Sequence, residues 1–138
     1  MTTPDERRFG RDVYLPLTPD EPLHLTPSGD LATLAGRPNA VHALQRATLI
    51  QPGQLLHRPT YGGGLPALLE RPATPARRAD AQNALRRALR DDPRVTDARV
   101  TVSPGLPDGT ARATAVTASA SVRLAGDTVD TPLTVTAE

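Results

Sequence analysis

The sequence predicts an α+β fold: a single domain whose antiparallel or mixed sheet ends in a C-terminal hairpin and packs against two or three helices. Three observations carry this. Before Asp92 the apolar residues recur at helical spacing, as at Ala81, Leu85, Ala88 and Leu89. From residue 95 to 103 they alternate, with Ala98, Val100 and Val102 on one side and Asp97, Arg99 and Thr101 on the other. The alternation returns at Val116, Ala118, Ala120, Val122 and Leu124, and again at Val129, Leu133 and Val135 after the turn-forming Ala125-Gly126-Asp127.

The length, 138 residues, is that of one ordinary domain, enough for folding to bury roughly two-thirds of the unfolded surface. Aromatic residues make up only 2% of the chain, so the core must be aliphatic and thin, built from Leu, Val and Ala. The 15 Pro and 10 Gly gather before Pro75 and between residues 104 and 109, which concentrates regular structure in the second half.

Taken in order, residues 1–9 are charged and polar with one proline, and they predict a flexible arm ordered only by a partner. A single domain follows over residues 10–138. Leu23-His24-Leu25 and Leu31-Ala32-Thr33-Leu34 flank Thr26-Pro27-Ser28-Gly29-Asp30, which predicts a small hairpin. Gly36-Arg37-Pro38-Asn39 opens a helix with Val41, Leu44 and Thr48 on a moderately apolar face, ending near Ile50. Residues 57–64 form a loop whose three successive glycines permit positive φ or a close backbone approach. That loop has no Lys-Ser/Thr after it and no apolar strand before it, so the phosphate-cradling reading is set aside.

Residues 65–70 make one or two helical turns. Thr74 then caps a helix that starts at Pro75 and runs to about Asp91, with Arg77, Arg78, Arg86, Arg87 and Arg90 forming a basic outer face. Pro93 lacks an N–H and disfavours helical angles at Asp92, so the helix stops there and Arg94 sits on a stiff corner before the strand. Pro104 to Gly109 is a connecting loop, and the final hairpin occupies residues 112–137. Pro132 has no hydrogen to donate to a ladder, which makes the last strand an edge strand.

A net charge of +1, from 16 basic and 15 acidic residues, is too balanced for a general nucleic-acid or anionic-membrane binder. All 16 basic residues are arginine, the cation suited to bidentate protein contacts. No cysteine is present, so disulfides and thiolate metal sites are excluded. The polar opening predicts no signal peptide, and no apolar run reaches the roughly 18 residues a bilayer crossing needs. His24, His42 and His57 match no zinc spacing, and no serine lies in a Gly-x-Ser-x-Gly elbow. Asp12, Asp20, Glu21, Asp30 and Glu70 show no spacing that marks a glycosidase acid and nucleophile. No enzyme, metal or cofactor is expected.

Several short segments carry a family likeness. Gly10-Arg11-Asp12, Ser28-Gly29-Asp30-Leu31-Ala32, Gly36-Arg37-Pro38-Asn39, Thr48-Leu49-Ile50-Gln51-Pro52-Gly53-Gln54, Arg58-Pro59-Thr60-Tyr61-Gly62 and Asp92-Pro93-Arg94-Val95 occur in this order. Together they resemble the baseplate wedge family of contractile phage tails, small sheath initiators found also in contractile injection systems and often labelled lysozyme-like. Asp92 and Gln54 stand where the family has Glu, and the Ala- and Thr-rich final hairpin carries little of the likeness.

The resemblance implies a structural role at the top of a baseplate, in a virion tail or an assembled injection particle. It implies contact with the wedge core through Asp92, Pro93 and Arg94, and a sheath strand received by the final hairpin along Val129, Leu133 and Val135. The implied partners are wedge proteins, sheath protein and tube or hub proteins, with six copies per baseplate. Arg94 is expected to be partly exposed in the isolated domain and paired in the assembly. An alternative of another class is a soluble regulator that occludes a partner protein, as anti-adaptors similar to this family do. A gene neighbourhood containing sheath, tube and spike genes separates the two.

Overall fold

The computed structural model describes residues 2–18, 20–110 and 114–138. The class is α+β with antiparallel sheets. In chain order the elements are α1 (Pro4–Phe9), β1 (Arg11–Val13), β2 (Thr33–Ala35), α2 (Arg37–Leu49), a 3-10 helix (Leu65–Glu70), α3 (Pro75–Arg90), β3 (Val95–Pro104), β4 (Val116–Leu124) and β5 (Thr131–Ala137). Contacts gather into two compact units, Met1–Arg46 and Ala47–Glu138.

In the first unit, the segment expected as a flexible arm forms helix α1 instead. Thr3 and Glu6 make a reciprocal capping box: the Thr3 hydroxyl accepts from the Glu6 N–H at 3.1 Å, and the Thr3 N–H donates to the Glu6 carboxylate at 2.8 Å. Pro4 occupies the first turn, Asp5 and Glu6 lie at the positive end of the helix, and Arg7 and Arg8 at the negative end. The helix delivers Phe9, the one phenylalanine, to a site only 3% exposed, with the guanidinium groups of Arg8 and Arg37 5.0 and 5.5 Å from its ring centre. Asn39 on α2 donates to the Phe9 carbonyl at 3.0 Å.

The expected hairpin of residues 23–34 is only partly present. Its turn forms, with the Thr26 N–H donating to the Asp30 carbonyl at 2.8 Å and Gly29 at φ 87°. Beyond the Leu25–Leu31 bridge, however, the returning strand changes partner and β2 pairs with β1 (Arg11 opposite Ala35, Val13 opposite Thr33). Ala32 makes the exchange: its N–H goes to His24 at 2.8 Å, and its carbonyl accepts from Tyr14 at 2.8 Å. Pro22, just before Leu23, has no N–H with which to extend the first pairing.

In the second unit the sheet order is β3-β4-β5, antiparallel throughout. The register aligns Ala98, Val100 and Val102 with Val122, Ala120 and Ala118, and these in turn with Thr131, Leu133 and Val135. One face is therefore aliphatic and the other carries Asp97, Arg99, Thr101, Ser119, Ser121, Arg123 and Thr134. α3 packs against β3, and the 3-10 helix against β4 and β5. Leu65, Leu85, Leu89, Val122 and Leu124 are fully buried in this unit, an aliphatic core as the composition requires. A bulge between Val95 and Asp97 leaves Thr96 unpaired in the ladder and returns Val95 to the buried side.

The glycine loop gains its close approach from two positions. Gly62 (φ 115°) passes so near the end of α2 that a Cβ there would lie 2.1 Å from the Ile50 carbonyl oxygen, and a Cβ on Gly63 would lie 2.3 Å from Leu85. Gly63 and Gly64 donate to the carbonyls of Ala47 and Ile50 at 2.8 and 3.0 Å. The bonds satisfy carbonyls at the C-terminal end of α2 that the helix itself leaves open.

The final hairpin is shorter than expected. Its start at Arg112 lies outside the described residues, and strand pairing ends where Val122 faces Thr131. Val129, expected on the last strand, instead sits in the connecting turn and is 72% exposed. Asp130 ends the turn by accepting from the Arg123 guanidinium at 2.9 Å, so the alternation continues in sequence past the point where pairing stops.

Candidate protein-interaction surfaces

Two places singled out by sequence lie in the second unit. The first is the corner. Thr74 caps α3 at the front, its hydroxyl accepting from the Arg77 N–H at 3.3 Å, and Pro93 ends the helix two residues after Asp91. Asp92 and Arg94 then close on each other. The Arg94 guanidinium makes a two-pronged contact with the Asp92 carboxylate, Nε to Oδ1 at 2.9 Å and Nη2 to Oδ2 at 2.7 Å, and the Arg94 backbone N–H also donates to Oδ1 at 2.9 Å.

The Val95 N–H donates to the Asp92 carbonyl at 3.0 Å, and the Ala125 N–H to the Arg94 carbonyl at 2.7 Å, so the corner is tied to the β4–β5 turn. The side chains of Arg94 and Asp92 keep 26% and 18% of their surface exposed. Burial pushes the Asp92 carboxyl up, but the Arg94 hydrogen bonds and charge, with Arg58 adding to the charge, outweigh it and hold the group below the usual carboxylate range. The partly exposed guanidinium is thus already engaged within the chain. Only spatial proximity could show this, because an Asp-Pro-Arg tripeptide reads equally well as an outward-pointing arginine.

The second place is the sheet edge. Leu133 and Val135 are 4% exposed and belong to the core, so an incoming strand would meet the backbone of β5 and not these side chains. The two edges of the sheet differ. On the β3 edge, Gln82 and Arg86, one turn apart on α3, bond backbone groups four residues apart: Val102 N–H to the Gln82 side-chain oxygen at 3.1 Å, and Arg86 Nε to the Ala98 carbonyl at 3.1 Å. Helix side chains thus cover the β3 edge.

Because Ala98 and Val102 direct their backbone groups to α3, the antiparallel alternation directs Val122, Ala120 and Ala118 toward β5. It directs the backbone groups of Pro132, Thr134 and Thr136 away from β4. Pro132 therefore lacks its N–H on a side where no strand among the described residues pairs, as its residue type requires.

The arginines of α3, read from sequence as one basic face, are divided in use. Arg77 donates to the carbonyls of Pro72 and Ala67 at 2.8 and 3.2 Å, and Arg86 caps β3. In the first unit, the structure brings His24 and His42 to either side of Tyr14, with ring centres 4.6 and 4.7 Å away, and the Tyr14 hydroxyl donates to Glu21. The sequence separation of these residues conceals that cluster. Its polar groups are internally satisfied, His42 bonding the Leu15 carbonyl and His24 pairing with Glu21 at 3.2 Å. Among the described residues no group of three or more His, Asp or Glu side chains converges as a metal site would, and no helix is long and apolar enough to cross a membrane.

The fold resembles that of a baseplate chain. A chain in the six-fold symmetrised cryo-EM structure of the anti-feeding prophage (AFP) baseplate superposes with a TM-score of 0.62 at 22% identity, over 89% of this chain and 91% of that one. No protein-family model matches the sequence, and no curated protein matches it significantly. The likeness is one of fold, carried by topology and not by shared residues.

Proposed function

We propose that this protein is a structural component of a baseplate that joins the wedge core around a central tube to the first sheath ring, and that it starts sheath assembly by strand pairing at β5. The observation that supports this most is the fold shared along nearly the whole chain with an anti-feeding prophage baseplate chain. The unequal sheet edges give the reading a mechanism. α3 side chains cover β3, while among the described residues β5 is hydrogen-bonded to another strand only on its β4 side. An added strand would gain main-chain hydrogen bonds there without displacing an element of the sheet.

In this proposal Asp92, Pro93 and Arg94 act as a preformed corner whose exposed fraction meets the wedge core, and the molecule carries no catalytic activity. Tube or hub proteins are further neighbours, and a six-fold baseplate takes six copies.

The test is Thr136→Pro, which removes an N–H from the side of β5 facing away from β4, at the loss of the hydroxyl contact between Thr136 and Thr117. Co-expressed with the baseplate and sheath genes of its own cluster, the variant should enter baseplates and start no sheath, while the isolated protein unfolds within a few degrees of wild type. Sheath of normal length on Thr136→Pro baseplates would place initiation elsewhere. Failure of the wild-type protein to enter any baseplate would overturn the structural reading itself.

A further inference from the structure

Within the second unit, the C-terminal end of α3 and the glycine loop border an open cleft of about 420 Å³. Its walls include Thr60, Gly62, Gly63, Arg87, Arg90 and Asp91. Glycine leaves part of the lining as bare backbone, because a Cβ on Gly62 would strike the Ile50 carbonyl and one on Gly63 would strike Leu85. The Gly62 N–H has no hydrogen-bond partner among the described residues.

Arg87 and Arg90 are exposed, three residues apart on one face of α3. Neither guanidinium has a hydrogen-bond, ion-pair or ring partner among the described residues. Several other arginines of the unit are engaged: Arg77, Arg86, Arg94 and Arg123 bond within the chain, and Arg58 lies 4.1 Å above the Tyr61 ring, whereas Arg71, Arg78 and Arg99 do not line the cleft. Asp91 supplies the one carboxylate of the lining, and the neighbouring Asp92 is committed to Arg94. Two guanidinium groups against one carboxylate leave the cleft positive, with an unused backbone donor beside them.

We infer that this cleft takes an acidic segment of a partner protein, one presenting two or more Asp or Glu side chains. The ligand class follows from the donors. Guanidinium forks and a backbone N–H match carboxylate geometry, and two arginines in a chain of net charge +1 do not make the extended basic track that a nucleic-acid strand needs. The inference deepens the reading of the chain as a protein-binding component by naming the chemistry of one partner. It uses residues separate from both the Asp92–Arg94 corner and the β5 edge.

The experiment titrates the full chain against a fluorescein-labelled hexaglutamate peptide by fluorescence anisotropy, at low salt and then at raised salt. The expected result is saturable binding that weakens about tenfold or more in the pair Arg87→Glu/Arg90→Glu. The control pair Arg71→Glu/Arg99→Glu changes the charge equally at exposed positions outside the cleft and should bind as wild type does. Thermal unfolding checks both pairs, and Arg87→Gln/Arg90→Gln replaces the first if charge reversal prevents folding.

Absence of saturable binding, equal weakening by both pairs, or tighter binding of a thymidine oligonucleotide than of the peptide would each overturn the inference. Because the readout is peptide binding by the isolated chain, its failure leaves the baseplate reading standing. Failure of the protein to enter baseplates leaves the peptide result standing.

Discussion

Arg94 and Asp92 show how far one pair of side chains constrains this protein. Removing the guanidinium leaves a carboxylate that burial alone would push toward its neutral form, so Arg94→Ala should destabilise the second unit. The loss should be about 1–2 kcal/mol, the scale of charged hydrogen bonds. It falls short of the 3–5 kcal/mol of a fully buried broken pair, because both groups keep part of their surface in water. The sign with pH follows from the depressed carboxyl. Its folded pKa lies below the unfolded value of about 3.9, so the stabilisation is complete above that value and is lost as pH falls through the folded pKa. Urea titrations across pH should show wild type and Arg94→Ala converging toward strong acid, and NMR should place the Asp92 carboxyl pKa higher in the variant. An unchanged midpoint near neutral pH would mean that the corner is held by Pro93 alone. Gly62 makes a second claim at this scale. With φ at 115° and a backbone oxygen 2.1 Å from where a Cβ would lie, Gly62→Ala cannot be relieved by turning a side chain. Its cost should exceed the roughly 1–3 kcal/mol of ordinary overpacking, and a midpoint within a degree or two of wild type would show that the loop shifts freely.

At the scale of elements, α3 acts as more than a packing helix. Gln82 and Arg86 satisfy backbone groups of β3 that would otherwise invite another strand. Gln82→Ala/Arg86→Ala should therefore leave the helix intact, with alanine favouring it, while giving β3 an open edge. Light scattering of the concentrated protein should show association absent from wild type, and a monodisperse double variant would show that the edge is protected by other means. α1 makes the complementary point, since a helix too short to be stable alone in water exists here with a capping box and a buried Phe9. The pattern Thr3-Pro4-Asp5-Glu6 was a readable start signal, hidden by the polar composition around it.

For the molecule as a whole, the balance of 16 basic against 15 acidic residues conceals a local separation of charge. Arginines such as Arg77, Arg86, Arg94 and Arg123 serve the protein's own backbone and carboxylates, while Arg87 and Arg90 at the end of α3 place two unengaged guanidinium groups in one cleft. In the proposed structural role such an arrangement would provide directed contacts without a strong overall field. The proposed absence of catalysis is open to direct measurement. Purified protein incubated with peptidoglycan should release no reducing sugar, since the one side-chain partner of the Asp30 carboxylate among the described residues is the Ser28 hydroxyl, and neither Asp30 nor Glu70 has a second carboxylate in contact with it there. Turnover abolished by Asp30→Asn or Glu70→Gln would overturn that proposal.

Chemistry that acts along the chain was legible in the sequence. Proline at residues 75 and 93 bounded α3, threonine capped it, and the alternation of residues 95–103 and 116–124 set which side chains of β3 and β4 face inward. These are local effects, decided by the bonded geometry of each residue and its immediate neighbours. Pairing across the chain was not legible in this way. Val129 continues the alternation of Leu133 and Val135 yet falls outside β5, because the register of β4 and the Arg123–Asp130 contact fix where pairing begins. β2 left its expected partner for β1, and Arg94 turned to Asp92, because each chose among partners that sequence order does not rank. Sequence determined the elements and their faces. Only the tertiary structure decided which edge stays open and which arginines stay unengaged, because both depend on what another segment brings within hydrogen-bond reach.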